Sequence, residues 1–275
     1  MRLYVVLGHR SQTGSGNGIL RLGGELMHTI MDKRLLAPNV YRLEVGAQLI
    51  AERRKPGQFI ILRVNEESER IPLTIVESDP VAGTIVLVFQ VMGEGTRLLA
   101  SLEMGDEIRD VVGPLGHPTE ISHFGTVVCV AGGIGVAPMF PIAKGMADMA
   151  NTVISIVGAR TRELLILQEE IHSVSSEVLI TTDDGTFGRH GFVTDALKER
   201  LESGFKPDAV VAIGPLPMMR AVAETTRPYG IKTIVSLNPI MVDGTGMCGG
   251  CRVSVGGQMK FACVDGPEFD GHQVN

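Results

Sequence analysis

The sequence predicts a β-barrel followed by an α/β domain: an antiparallel barrel, a doubly wound parallel sheet and a small cysteine-bearing C-terminal lobe. Three observations predict it. Between His28 and His123, short apolar runs alternate with turn residues. From Gly125 the runs alternate with helical patterns instead, and after Leu237 both periods stop in a glycine-rich stretch holding three of the four cysteines. A length of 275 residues suits about two domains with real cores. The expected boundaries are 1–26, 27–123, 124–236 and 237–275.

Residues 1–26 contain the polar run Ser11 to Gly18 without hydrophobic period and are expected to form a mobile leader. Met27 opens the patterned sequence. Barrel strands are expected at Tyr41–Val45, Gln58–Val64, Thr84–Val91 and Glu107–Val112, punctuated by Pro56-Gly57, Pro80 and Ala82-Gly83. In the second domain, strands are expected at Val127–Ala131, Val153–Val157, Val178–Thr182, Ala209–Gly214 and Thr233–Leu237. Helices are expected between them at Ala137–Met149, Arg162–His172, Val193–Glu202 and Pro217–Arg227. Such alternation builds a parallel sheet covered on both faces.

A net charge of −6 and no basic cluster longer than Glu52 to Lys55 exclude a nucleic-acid binder. Thr126 to Ala143, the longest apolar stretch, is broken by glycines and prolines and does not read as a membrane span. No signal peptide is evident, so a cytoplasmic location is expected, with the cysteines reduced.

The sharpest motif is Asp243-x4-Cys248-x2-Cys251-x11-Cys263. Its spacing is that of plant-type [2Fe–2S] sites with Asp in the first position. Three thiolates and a carboxylate also suit a structural zinc ion, and reduced cysteines at this spacing need hold no metal. Cys129 lies in the apolar run Val127 to Ala131, where a cysteine packs as a small hydrophobe. His272 and Asp265 are alternative fourth ligands, but only Asp243 has the required offset before Cys248.

A second motif, Gly132-Gly133-Ile134-Gly135-Val136-Ala137-Pro138, joins a strand to a helix, as a pyrophosphate-binding turn does. A tight turn without ligand is the alternative. The next strand ends in Gly158-Ala159-Arg160 rather than an acid, which leaves NAD and NADP undistinguished. In the barrel, Arg70 precedes Ile71-Pro72-Leu73-Thr74, and Gly93 to Thr96 opens a short helix. An arginine and free helical amides suit a flavin pyrophosphate. A solvated arginine and a plain turn are the other readings.

In this order, the motifs resemble the ferredoxin–NADP reductase superfamily over about residues 28–275, and within it the branch with a C-terminal [2Fe–2S] lobe. The resemblance implies FAD at Arg70, Pro72, Leu73, Thr74, Gly93, Gly95 and Thr96, with Thr74 the catalytic hydrogen-bonding group near flavin N5. It implies NAD(H) at Gly132, Gly133, Gly135, Ala137, Pro138 and Arg160, and at the loops holding Asp184 and Gly214, Pro215 and Met218. The cluster ligands would be Asp243, Cys248, Cys251 and Cys263. Electrons would pass by hydride transfer between nicotinamide and flavin, then singly through the cluster to a larger flavin/iron–sulfur subunit and through that complex to ferredoxin. The electron-transfer subunits of B-type dihydroorotate dehydrogenase carry four cysteines. Asp243 instead resembles the small subunit of the electron-bifurcating NADH-dependent reduced ferredoxin:NADP+ oxidoreductase. A dihydroorotate dehydrogenase subunit, a self-standing reductase and a zinc-bearing module on an inactive reductase fold are the alternatives.

Overall fold

The computed structural model describes residues 28–274; the expected leader, 1–26, lies outside the described residues. The first sheet contains β1 (His28–Ala37), β2 (Val40–Gly46), β3 (Phe59–Arg63), β4 (Ile71–Asp79), β5 (Thr84–Gln90), β6 (Glu107–Ile108) and β7 (Asp110–Leu115). Its order is β6-β1-β2-β5-β4-β3-β7, and every pairing is antiparallel. The outermost strands, β6 and β7, are separated in the chain by Arg109 alone, so the sheet curls into a nearly closed barrel. The single strand expected at Glu107–Val112 is therefore two. Helix α1 (Gln48–Ala51) follows β2, and α2 (Glu94–Ser101) follows β5.

The second sheet contains β8 (Thr126–Gly132), β9 (Thr152–Ala159), β10 (Glu177–Thr182), β11 (Arg189–His190), β12 (Ala209–Ile213), β13 (Lys232–Ser236) and β16 (Glu268–Asp270). Its order is β11-β10-β9-β8-β12-β13-β16, parallel except for β16. The helices are α3 (Val136–Asp148), α4 (Gln168–Val174), α5 (Val193–Glu202) and α6 (Leu216–Thr226). Chain order reverses between β8 and β12, the switch point where open α/β sheets bind ligands. A hairpin, β14 (Arg252–Val255) and β15 (Gln258–Phe261), precedes β16.

The apolar runs are continuous where a strand separates two cores. On β5, Ile85, Leu87 and Phe89 fill the barrel, while Val86 and Val88 join the core of the α/β domain. On β8, Val127, Cys129 and Ala131 face that core, and Val128 and Val130 face the one beneath α5 and α6. Each face thus buries apolar surface worth ~25 cal/mol per Å².

The helix expected at Arg162–His172 is broken. Arg162–Leu164 form a 3-10 turn, and Leu167 takes φ 53° before α4 begins. Leu165 and Ile166 turn into the core, and that burial outweighs helix continuity. The segment after Leu237 is not separate throughout, because β16 pairs with β13 through Ser236 and Glu268. No helix among the described residues is long and apolar enough to cross a membrane.

Candidate functional site

A cavity of about 640 Å³ opens at the carboxyl ends of β8, β9 and β12. Gly132, Gly133, Arg160, Pro215 and Met218, all expected from the sequence, line it. Gly135 serves the turn differently: a Cβ there would stand 2.2 Å from the Ile213 carbonyl oxygen. Only glycine lets the β8 and β12 turns touch. Ala137 is fully buried in the core, Pro138 lies in the first turn of α3, and Gly214 packs on Met218. These three shape the wall without lining it. Asp184 is engaged within its own loop, where the Thr186 hydroxyl and amide hold its carboxyl below the ordinary range.

Asp183, in the expected loop beside Asp184, is in the wall; sequence reasoning missed Gly158 and Thr181 as lining residues, and Val40 and Gln90, which the barrel contributes. Gly158 and Thr181 follow from the strand-end rule applied to β9 and β10. The barrel pair has no local signal. Thr181 is buried, and its hydroxyl has no partner among the described residues. A polar ligand that accepts its hydrogen bond fits that wall.

The barrel motifs converge on a second place. Ile71 to Thr74 pair with β3 alone; pairing of β4 with β5 begins at Ile75. Pro72 is tolerated because this stretch is a free edge. Beside it lies the start of α2. The Gly95 amide donates to the Glu69 carboxylate at 3.1 Å, and Arg70 is exposed next to it. An anion already occupies that amide, so the residues fit a phosphate group. Two of the expected residues turn their side chains elsewhere. Leu73 packs into the barrel core, and the Thr96 hydroxyl accepts from the amides of Met92 and Gly93 at 2.9 and 3.0 Å. Thr74 is half-buried on β4, and Gly93 faces open space.

The hairpin explains the cysteines. Cys251 precedes β14 and Cys263 follows β15, so the Gly256-Gly257 turn brings their sulfurs to 3.2 Å. Burial beside Cys251 pushes the Cys263 thiol up to about 11. Cys248 is exposed, with the Gly250 amide 3.5 Å from its sulfur. Asp243 accepts from the amides of Thr245 at 2.8 Å and Cys248 at 2.6 Å, which hold its carboxyl below the ordinary range. The structure joins two thiols and ties Asp243 to the third through the loop, without gathering all four donors around one point. Three thiols and an ionised carboxylate, on one glycine-rich loop and the hairpin that follows it, suit an iron–sulfur cluster by donor chemistry. The other candidates are occupied: Asp265 accepts from the Phe261 amide at 2.6 Å, and His272 meets Thr226 at 3.0 Å. Cys129 is buried away from the loop, its thiol pushed up to about 12 by burial.

Residues 129–224 match the oxidoreductase NAD-binding domain model, and residues 238–275 the iron–sulfur cluster binding domain of dihydroorotate dehydrogenase B. A dihydroorotate dehydrogenase B electron-transfer subunit homolog from Thermotoga maritima is 44% identical, over 92% of this chain and 89% of its own length. The dihydroorotate dehydrogenase B electron-transfer subunit of Geobacillus thermodenitrificans is 35% identical, over 92% of this chain and 99% of its own length. The chain belongs to this electron-transfer subunit family. It is an electron-transfer flavoprotein subunit of the oxidoreductase class, linking NAD(H), flavin and an iron–sulfur centre. A solved structure of the NADH-dependent reduced ferredoxin–NADP oxidoreductase, which bears on flavin-based electron bifurcation, aligns with TM-score 0.86 and 44% identity. That alignment covers 92% of this subunit and 91% of the solved chain. A ferredoxin NADP+ reductase from Neisseria gonorrhoeae shares the fold, with TM-score 0.61 and 18% identity over 74% of this chain and 91% of its own.

Proposed function

We propose that this subunit passes electrons between NAD(H) at the β8–β9–β12 cavity and a [2Fe–2S] cluster held by Asp243, Cys248, Cys251 and Cys263, with FAD held between them at the free edge of β4. It delivers them to a larger flavin/iron–sulfur subunit in a complex of the NADH-dependent reduced ferredoxin:NADP+ oxidoreductase type, which exchanges electrons with ferredoxin. The observation that carries this reading is β3. One edge of β3 pairs Phe59 with Thr74, and the same Phe59, with Ile61, packs in one small core with Cys251 and Cys263. A bound flavin supplies the exchange between two-electron chemistry at a nicotinamide and one-electron chemistry at a cluster. Arg70 and the Gly95 amide hold its pyrophosphate, the phosphate taking the place of the Glu69 carboxylate, with Gly93 leaving open space beside them. Thr74 offers its hydroxyl at the ring. Gly133 and Arg160 hold the nucleotide, and Pro215 and Met218 cover it from the β12 side. Asp243, a harder donor than a thiolate, favours the oxidoreductase-type complex over the four-cysteine dehydrogenase type. A cytoplasmic setting belongs to this proposal, since thiols that hold a cluster stay reduced there.

The test is anaerobic purification of the full chain with cofactor analysis and identification of the co-purifying partner. The expected result is about one FAD and one [2Fe–2S] cluster per chain, a larger flavoprotein partner, and faster flavin reduction by NADH than by NADPH. Stoichiometric zinc without iron overturns the cluster. Recovery of a dihydroorotate-oxidising partner redirects the complex.

A further inference from the structure

The return of β16 to the second sheet carries a carboxyl group into the junction between barrel and cysteine segment. Glu268 is partly buried, and its Oε1 accepts the Thr119 hydroxyl at 2.6 Å. The backbones are joined on either side of this pair. The Thr119 amide donates to the Pro56 carbonyl at 2.9 Å, and the His117 amide to the Gly266 carbonyl at 2.7 Å. Gly57, at φ 81°, closes over the pair: a Cβ there would stand 2.2 Å from the Thr119 hydroxyl and 2.8 Å from Glu268 Oε1. Its neighbour Gln58 accepts the amide of Ile75, the residue after Thr74, at 3.1 Å. The contact therefore spans from the flavin-motif strand to the segment that follows Cys263.

We propose that Glu268 is a positioning residue, which with Thr119 and Gly57 forms a clasp setting the cysteine segment against the barrel wall that carries Thr74. The role in electron transfer rests on the function proposed above. The clasp itself does not. Titratable and charged groups on the packed elements are Lys55 on the Pro56-Gly57 turn, His117 and Glu120 flanking Thr119, Cys129 on β8, Lys232 on β13 and Asp270 on β16. Lys232 pairs with Glu120 at 2.9 Å, and no ion pair to Glu268 is formed among the described residues. Burial without a cation pushes the Glu268 carboxyl up to about 7, with the Thr119 hydrogen bond opposing the rise. The closed clasp thus holds a proton that an open one, with an ordinary value of 4.5, releases. Closing weakens as pH rises between these values, by up to about tenfold per pH unit, and is constant above them.

The experiment is hydrogen exchange at the His117 and Thr119 amides of the full chain across pH 5 to 8, for the wild type, Glu268→Gln and Glu268→Ala. In the wild type, protection should fall with rising pH and level off above about 7. Glu268→Gln keeps an acceptor for Thr119 without a titrating proton and should hold its protection at every pH. Glu268→Ala should lose about tenfold or more throughout. A Glu268→Gln profile that follows the wild type overturns the proposal, as does wild-type protection in Glu268→Ala. If Glu268→Ala does not fold, the Glu268→Gln profile decides. The amide readout needs no bound cofactor, so failure of the clasp and failure of the electron-transfer reading are separate outcomes.

Discussion

Phe59 and Thr74 stand opposite each other in the β3–β4 ladder, so their side chains share one face of the barrel wall. That face is also where Phe59 and Ile61 meet Cys251 and Cys263. Leu73 and Ile71 point the other way, into the barrel core. A group bound at the free edge of β4 is then about one strand spacing, ~4.8 Å, from the wall that supports the cysteines.

Thr74→Val keeps the shape of this edge and removes its hydroxyl. FAD content should be unchanged, while flavin reduction by NADH slows by about tenfold, the scale of one hydrogen bond. Rapid-mixing absorbance at saturating NADH measures it. An equal rate in both proteins would remove Thr74 from the chemistry.

Asp243 should prove to be the fourth cluster ligand. Asp243→Cys should retain a [2Fe–2S] centre with a shifted potential and electron paramagnetic resonance signal, because a thiolate donates more electron density. Asp243→Ala should leave the cluster labile or absent, having lost both the ligand and the acceptor for the Cys248 amide. Cys129→Ala should do neither. Iron analysis and spectra of the three variants check this.

Glu69 occupies the Gly95 amide that a pyrophosphate would take. Glu69→Ala should tighten FAD binding by releasing that amide and removing a like charge. Arg70→Ala should weaken it by about tenfold to a hundredfold, the range for hydrogen bonds to charged groups. Fluorescence titration of the apoprotein with FAD distinguishes the two, and weaker binding in Glu69→Ala would show that its carboxylate supports the site.

Gly135→Ala forces a methyl group onto the Ile213 carbonyl. Backbone has to move, at a cost of roughly 1–3 kcal/mol in stability. A lowered thermal midpoint should accompany weakened NADH binding, with FAD content preserved. Calorimetry and nucleotide titration report the two effects.

Some elements were legible because one period ran without interruption. The expected helix Val193–Glu202 is α5 residue for residue, and the five expected parallel strands agree within one or two residues at each end, while the two-residue parallel strand β11 had no signal. Strand β1 escaped notice because Asp32, Lys33 and Arg34 break its alternation; its ladder with β2 sustains it. Proline and arginine hid β4, whose first half is a free edge. β16 is three residues long, too short for any period to register. In the site, Ala137, Thr96 and Leu73 matched a motif by position while packing decided where their side chains went.

The sequence by itself determined the barrel, the parallel sheet and the loop chemistry, since periodicity, glycine turns and cysteine spacing act within a few residues of one another. Tertiary structure alone decided that β16 crosses back to β13, that Val40 and Gln90 wall the nucleotide cavity, and that Glu268 meets Thr119. Those contacts join residues as far apart as 149 positions. No local pattern encodes them; they arise when two cores close on the shared strands β3 and β5 and each buried face takes the partner left to it.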